Sequence, residues 1–238
     1  MRLLLVSDLH YKLRQYDWLL GAAPRFDAVA IAGDHVDAFA VVPSEVQIAA
    51  LSASLAAVAR QTPLLVCSGN HDLDARNEAG EKTAAWLAGV RGAAVAVDGD
   101  TVEVGDTLFT VCPWWDGPHA QARVERLLED AAARRRGRWV WLYHAPPEGA
   151  LSWTGSRHFG DAVLAGLIAR HVPTAVLCGH IHEAPFKRGG SWIDRRGDTW
   201  LFNPGRQIGD VPARIEIDFA KGEARWISLA GIEEKSLQ

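Results

Sequence analysis

Six short apolar runs punctuate the chain, at residues 3–6, 28–32, 64–67, 108–112, 139–143 and 175–178. They are too short for helices and too continuous for strands with one wet face, so they read as strands buried on both sides, the pattern of α/β sheets. The residues just after five of them are more telling. The first leads into Asp8-Leu9-His10, the second into Gly33-Asp34-His35-Val36-Asp37 and the third into Gly69-Asn70-His71-Asp72. The fifth leads into His144 and the sixth into Gly179-His180-Ile181-His182. Ligands of open α/β sheets bind beyond the carboxyl ends of strands, so five strand ends deliver Asp, His and Asn side chains to one rim.

Helical patterns separate the runs. Ser44-Glu45-Val46-Gln47 has the form of a capping box, followed by Ile48, Leu51, Leu55 and Val58 at helical spacing. Val124, Leu127, Leu128 and Ala131 mark a second amphipathic helix, and Asp161 is placed to cap a third carrying Leu164, Leu167 and Ile168. The stretch 102–109 alternates around Gly105-Asp106 as a hairpin does, and strand-like pieces joined by Gly-containing turns fill 191–229. No repeat and no low-complexity tract interrupts this order, so residues 1–238 are expected to form one α/β domain with more than one sheet.

Composition narrows the function. The formal net charge of −4 disfavours a protein that lives on nucleic-acid backbones. Three widely spaced cysteines, with no CxxC among them, give neither a disulfide framework nor a zinc knuckle. The four apolar residues 3–6 are too few for a secretory signal, and no run approaches the length of a membrane span, so a cytoplasmic protein is expected.

The rim residues form a chemical set. In extended chain, residues i and i+2 project to the same side, so Asp8 with His10, and His180 with His182, can each aim two ligands at one place. The glycines before Asp34, Asn70 and His180 permit tight strand-to-loop turns. Imidazole, carboxylate and amide oxygen suit Zn, Mn, Fe or Co. Two Asp, four His and one Asn exceed what one tetrahedral ion uses and match two ions sharing a carboxylate. Two divalent ions outweigh the charges of Asp8, Asp34 and a bridging hydroxide, which favours an anionic phosphoryl substrate.

The ordered blocks D-x-H, G-D-x-x-D, G-N-H-D, a single His and G-H-x-H resemble those of the calcineurin-like metallophosphoesterase family and span residues 8–182. Asn203-Pro204-Gly205 is similar to a turn found near the end of small bacterial members. The resemblance implies a four-layer αββα sandwich with two mixed β-sheets flanked by helices. It implies one ion on Asp8, His10, Asp34 and His182, and a second on Asp34, Asn70, His144 and His180. It further implies in-line attack on phosphorus by a metal-bridging hydroxide, with His71 protonating the leaving group and Asp37 orienting and charging His71. Asp72 is expected to fix its loop through backbone hydrogen bonds, and His35 to point away from the metals.

Substrate contacts are sought in the loop 145–160, which is long for a strand-to-helix link and lies beside the site. Trp153, Arg157 and His158 there, and Trp114 after Pro113, are candidates to stack on a base or hold a distal phosphate. The expected substrate is a small anionic phosphate ester, a phosphodiester first and a phosphomonoester as the alternative. The G-N-H-D block, with Ala38-Phe39 after Asp37, departs from the protein-phosphatase pattern G-D-x-V-D-R-G and G-N-H-E. A nuclease, and an inactive scaffold with the same fold, rank behind both.

Overall fold

A computed structural model describes residues 1–238. Strands β1 (Arg2–Val6), β2 (Ala28–Ala32) and β3 (Leu64–Cys67) alternate with helices α1 (Leu13–Ala22) and α2 (Ser44–Ala59). A two-residue pair, β4 (Ala75–Arg76) and β5 (Lys82–Thr83), precedes β6 (Val95–Val97), β7 (Thr101–Val104), β8 (Thr107–Val111) and α3 (Pro118–Arg134). Next come β9 (Arg138–Leu142), α4 (Ala162–His171), β10 (Ala175–Leu177), β11 (Ile193–Arg196) and β12 (Thr199–Phe202). The chain closes with β13 (Arg214–Asp218), β14 (Glu223–Ser228) and β15 (Gly231–Ser236).

The strands form two large mixed sheets, of seven in the order β15-β14-β13-β1-β2-β3-β6 and of six in the order β11-β12-β10-β9-β8-β7. Strands β1, β2, β3 and β6 run parallel, with β13 antiparallel to β1. Strands β8, β9, β10 and β12 are likewise parallel, and β7 and β11 turn back at the edges.

Period-two side-chain alternation divides each buried run between two cores. Leu3, Leu5, Ala28, Ala30, Ala32, Val140 and Leu142 fill the space between the sheets. Leu4, Val6, Val29 and Ile31 face Leu19, Leu51, Leu55 and Val58 of α1 and α2. On the opposite side Trp139, Trp141 and Tyr143 face Val124, Leu128, Leu164 and Ile168 of α3 and α4. The result is the αββα sandwich. No helix is long and apolar enough to cross a membrane.

Two local expectations meet different fates. The Asp161 carboxylate accepts the N–H of Leu164 at 3.0 Å and caps α4. No capping box forms at α2. There Pro43 precedes the helix without a side-chain cap, and Gln47 turns inward to the preceding loop. A buried amide lowers its energy most by satisfying all its hydrogen bonds, and the loop carbonyls offer more partners than the helix start.

Candidate dinuclear metal centre

The strand ends converge at the seam between the sheets. Parallel hydrogen bonding of β1 with β2 continues beyond the strands, with Asp8 N–H to Gly33 O, His10 N–H to Asp34 O and Tyr11 N–H to His35 O at 3.1, 3.0 and 2.7 Å. In the second sheet, Gly179 N–H donates to His144 O at 2.7 Å. Several bonds cross the seam. His180 N–H donates to the Asp8 carboxylate at 3.1 Å, and His144 Nδ1 lies 2.6 Å from Ala32 O. A carbonyl only accepts, so Nδ1 of His144 carries the proton and Nε2 faces the site.

Two groups of donor atoms result. Those of Asp8, His10, Asp34 and His182 lie within 4.8 Å of one another, as do those of Asp34, His144 and His180, so Asp34 belongs to both. His182 Nε2 is 3.2 Å from Asp8 Oδ1, and His10 Nε2 is 3.2 Å from His182 Nε2. His144 Nε2 lies 3.3 Å from Asp34 Oδ2 without a hydrogen bond to it. Asn70 Oδ1 is also buried and unpartnered, in the loop whose His71 N–H donates to Asp34 Oδ1 at 3.0 Å. Two buried orphan polar atoms beside clustered carboxylates and imidazoles fit transition-metal ions, which would satisfy them.

The backbone is shaped for this purpose. Asp8, His10, Asp34 and His180 all occupy the left-handed region, with φ of 55°, 40°, 54° and 67°. Of the three preceding glycines, only Gly33 has positive φ, at 79°. Gly69 and Gly179 are required by space: a Cβ at Gly69 would sit 2.2 Å from Asp34 Oδ1, and one at Gly179 would sit 2.6 Å from Asp8 Oδ2.

Electrostatics divide the four imidazoles. Burial pushes His10 and His180 down to about 4, so both are neutral. Burial opposes protonation of His144 too, but the Asp34 and Asp8 carboxylates hold it up at about 9. His182 is raised by its hydrogen bond to Asp8, again against burial. Both carboxylates sit below the usual range despite burial, Asp34 through the charge of His144 and Asp8 through its bond to His182.

His71 stands outside both donor groups, its ring 4.8 Å from His10 and edge-on to it, with Nδ1 buried and unpartnered. The implied orienting partner, Asp37, makes no direct hydrogen bond or ion pair with it. The Asp37 carboxylate instead accepts the N–H of Phe39 at 3.0 Å, the short-range bond that aspartate commonly makes in a turn. Asp72 accepts N–H groups from His35, Val36 and Gly69 at 2.8, 2.9 and 2.8 Å, tying two ligand loops together. His35 points away from the metal site, toward Tyr16 Oη and the Cys67 carbonyl.

Of the expected substrate contacts, Trp114 lies at the site, its ring 5.4 Å from His180 and 5.7 Å from His144. For Trp153, Arg157 and His158 the structure gives contacts within the loop 145–160 and to Arg188. Trp153 Nε1 donates to Arg188 O, Arg157 lies over Phe159, and His158 Nδ1 is 3.0 Å from Gly149 O. Sequence reasoning missed Arg206, whose N–H donates to His182 O at 3.1 Å and whose charge acts on His10 and His182. Its guanidinium has no hydrogen-bond or ion-pair partner. Its position directly after Asn203-Pro204-Gly205 was the available signal, since Asn203 Nδ2 also donates to Ile181 O and fastens that turn to the last ligand loop.

A family model described as calcineurin-like phosphoesterase matches residues 1–184. No curated protein sequence matches the chain significantly. Among solved structures, that of TT1561 of Thermus thermophilus has a TM-score of 0.61 at 18% identity, covering 100% of this chain and 99% of its own. Yfce, described as a phosphoesterase from E. coli, follows with a TM-score of 0.49 at 15% identity and full coverage of both chains.

Proposed function

The chain belongs to the calcineurin-like phosphoesterase family, and from that premise we propose that it is a dinuclear-metal-dependent hydrolase of small phosphodiesters. The observation that carries this reading is the pair of Asp/His donor groups joined at Asp34. Asp8, His10, Asp34 and His182 would hold one ion, and Asp34, Asn70, His144 and His180 the other. Such ions supply an activated water and neutralise phosphoryl oxygens.

The remaining chemistry belongs to the chain. His71 is the rim imidazole outside both donor groups, which suits a proton donor to the leaving oxygen. It works there without Asp37. Arg206 adds an unpaired cation on the side of His10 and His182, where a phosphoryl anion gains from it. Two aromatic surfaces flank the centre, Phe39 beside His71 and Trp114 beside His144 and His180. Two surfaces suit a substrate with two ester arms, which favours the diester. Arg206 is the feature that favours the alternative, a dianionic monoester. All three cysteines are free and buried, which suits the reducing cytoplasm.

With Mn²⁺-loaded protein, bis-p-nitrophenyl phosphate should show a higher kcat/KM than p-nitrophenyl phosphate. Faster monoester turnover would transfer the assignment to a phosphatase. Absence of both bound metal and metal-stimulated turnover would leave an inactive scaffold.

A further inference from the structure

Phe39 is an apolar ring that the fold holds in water, with 88% of its surface exposed. Nothing in the packing of the chain requires it there, yet its loop is fastened from several sides. Gln47, fully buried in the first turn of α2, accepts the N–H of Asp37 at 2.9 Å. The same amide donates to the carbonyls of Asp37 and Val42 at 3.0 and 2.8 Å. The Asp37 carboxylate then accepts the N–H of Phe39, and the Asp37 carbonyl accepts that of Ala40. A buried amide with its donors and acceptor all committed to one loop defines that loop's position sharply.

What the loop presents is directed at the metal centre. The Phe39 ring lies 5.5 Å from His71, edge-on at 71°, and His71 lies 4.8 Å from His10 of the first donor group. The centre, the non-ligating imidazole and the exposed ring therefore follow one another outward. A phosphoryl group at the centre with its leaving oxygen toward His71 would place the leaving alcohol over Phe39. Residues 38–42, Ala-Phe-Ala-Val-Val, carry no charge with which to hold an ionic leaving group, and Val41, two residues after Phe39, is fully exposed.

We propose that Phe39 is a specificity-determining platform that takes an apolar or aromatic leaving group, and that Gln47 and Asp37 are the positioning residues that hold it. The proposal rests on the phosphoester-hydrolase reading and adds the class of leaving alcohol to it. A planar ring stacked on Phe39 gains both buried area and aromatic contact.

A mixed diester, ethyl 2-phenylethyl phosphate, tests this by internal competition, because its two alcohols are of similar acidity. The Mn²⁺-loaded full chain should release 2-phenylethanol over ethanol about ten-fold. Phe39→Ala should bring the ratio close to one, and Phe39→Trp should keep it. Gln47→Ala should lower the ratio as Phe39→Ala does, and adding it to Phe39→Ala should lower it no further. Calorimetry with 2-phenylethylphosphonate and ethylphosphonate provides a reading independent of turnover. The wild type should bind the aromatic ligand about ten-fold more tightly, and Phe39→Ala should bind the two alike. Preferential ethanol release, an unchanged ratio in Phe39→Ala, or phosphonate binding indifferent to Phe39 would overturn the platform. If the wild type hydrolyses neither this diester nor p-nitrophenyl phosphate, the hydrolase reading falls, while the phosphonate result still decides the role of Phe39.

Discussion

Gly69→Ala should dismantle the candidate metal centre without replacing any proposed ligand. The new Cβ would lie 2.2 Å from Asp34 Oδ1, 2.6 Å from Asp34 N and 2.8 Å from Asp34 Cγ, so the carboxylate must retreat by about 1 Å to reach ordinary contact. The Asp34 backbone has no room to follow. It sits at φ 54°, its carbonyl accepts the His10 N–H, and its Oδ1 accepts the His71 N–H. Metal–oxygen distances tolerate only about 0.2 Å, so a shift of that size forfeits the shared ligand of both donor groups. Metal affinity should fall roughly 100-fold, measured by chelator competition with Mn²⁺ or Zn²⁺. Gly166→Ala is the matched control. It lies exposed in α4 with nothing within 4 Å, and should leave metal binding intact while raising stability by about 0.5–1 kcal/mol. Gly179→Ala, whose Cβ would meet Asp8 Oδ2 at 2.6 Å, should weaken the first donor group more than the second and leave close to one ion per chain. A folded Gly69→Ala protein that binds metal with wild-type affinity would refute the close-approach argument.

Other expectations rest on single side chains. Burial pushes the Asp98 carboxyl up to about 7, against its hydrogen bonds from Ser68, so the folded chain binds a proton there more tightly than the unfolded one. Its contribution to stability is therefore greatest below about pH 4 and is lost as pH rises through about 7. Asp98→Asn should remove that dependence and gain on the wild type between pH 5 and pH 8 in urea midpoints; a constant difference would be the contrary result. Arg206→Met should raise KM for phosphoesters about ten-fold with a smaller effect on kcat, and Arg206→Lys should recover part of the loss. Asp37→Asn keeps the acceptor for the Phe39 N–H and should leave the pH profile of kcat in place, whereas a shifted profile would restore Asp37 as the partner of His71.

The proposed ligand positions were legible because they are local consequences of strand length. An apolar run of four or five residues ends where the next residue is polar, and in a parallel sheet those ends share one edge, so Asp8, Asp34, His144 and His180 meet, with Asn70 in the loop bonded to Asp34 through His71 N–H. What escaped the sequence depends on partners far along the chain. Gln47 has the pattern of a capping residue, and only the folded loop reveals that Asp37 and Val42 claim its amide. Asp37 sits three residues after Asp34 in a familiar block, yet its carboxylate is captured by the nearest N–H, two residues on. Nor did abundance separate the tryptophans by role. Trp139 and Trp226 serve the core and donate to Thr110 Oγ1 and Pro204 O, Trp86 donates to Asp72 O, and Trp114 stands at the site.

Four proposed ligands, Asp8, His10, Asp34 and His180, occupy left-handed backbone that costs on the order of 1–3 kcal/mol apiece. Their sum rivals the net stability of an ordinary domain, so the strain must be held by structure that is over-determined elsewhere. The cores supply this, and so does the arrangement of the strand ends. Asp8, His10, Asp34 and Asn70 follow strands of the first sheet, while His144, His180 and His182 follow strands of the second. A few polar contacts fasten the halves together at the rim, among them His180 N–H with Asp8, His144 Nδ1 with Ala32 O and Trp114 N–H with Ser68 Oγ. Both donor groups draw from both sheets, so each ion would staple the sandwich where its backbone is most strained. Ion binding would therefore contribute to folding as well as to the proposed catalysis, and a saturating metal should raise the unfolding temperature of the entire chain as its affinity dictates.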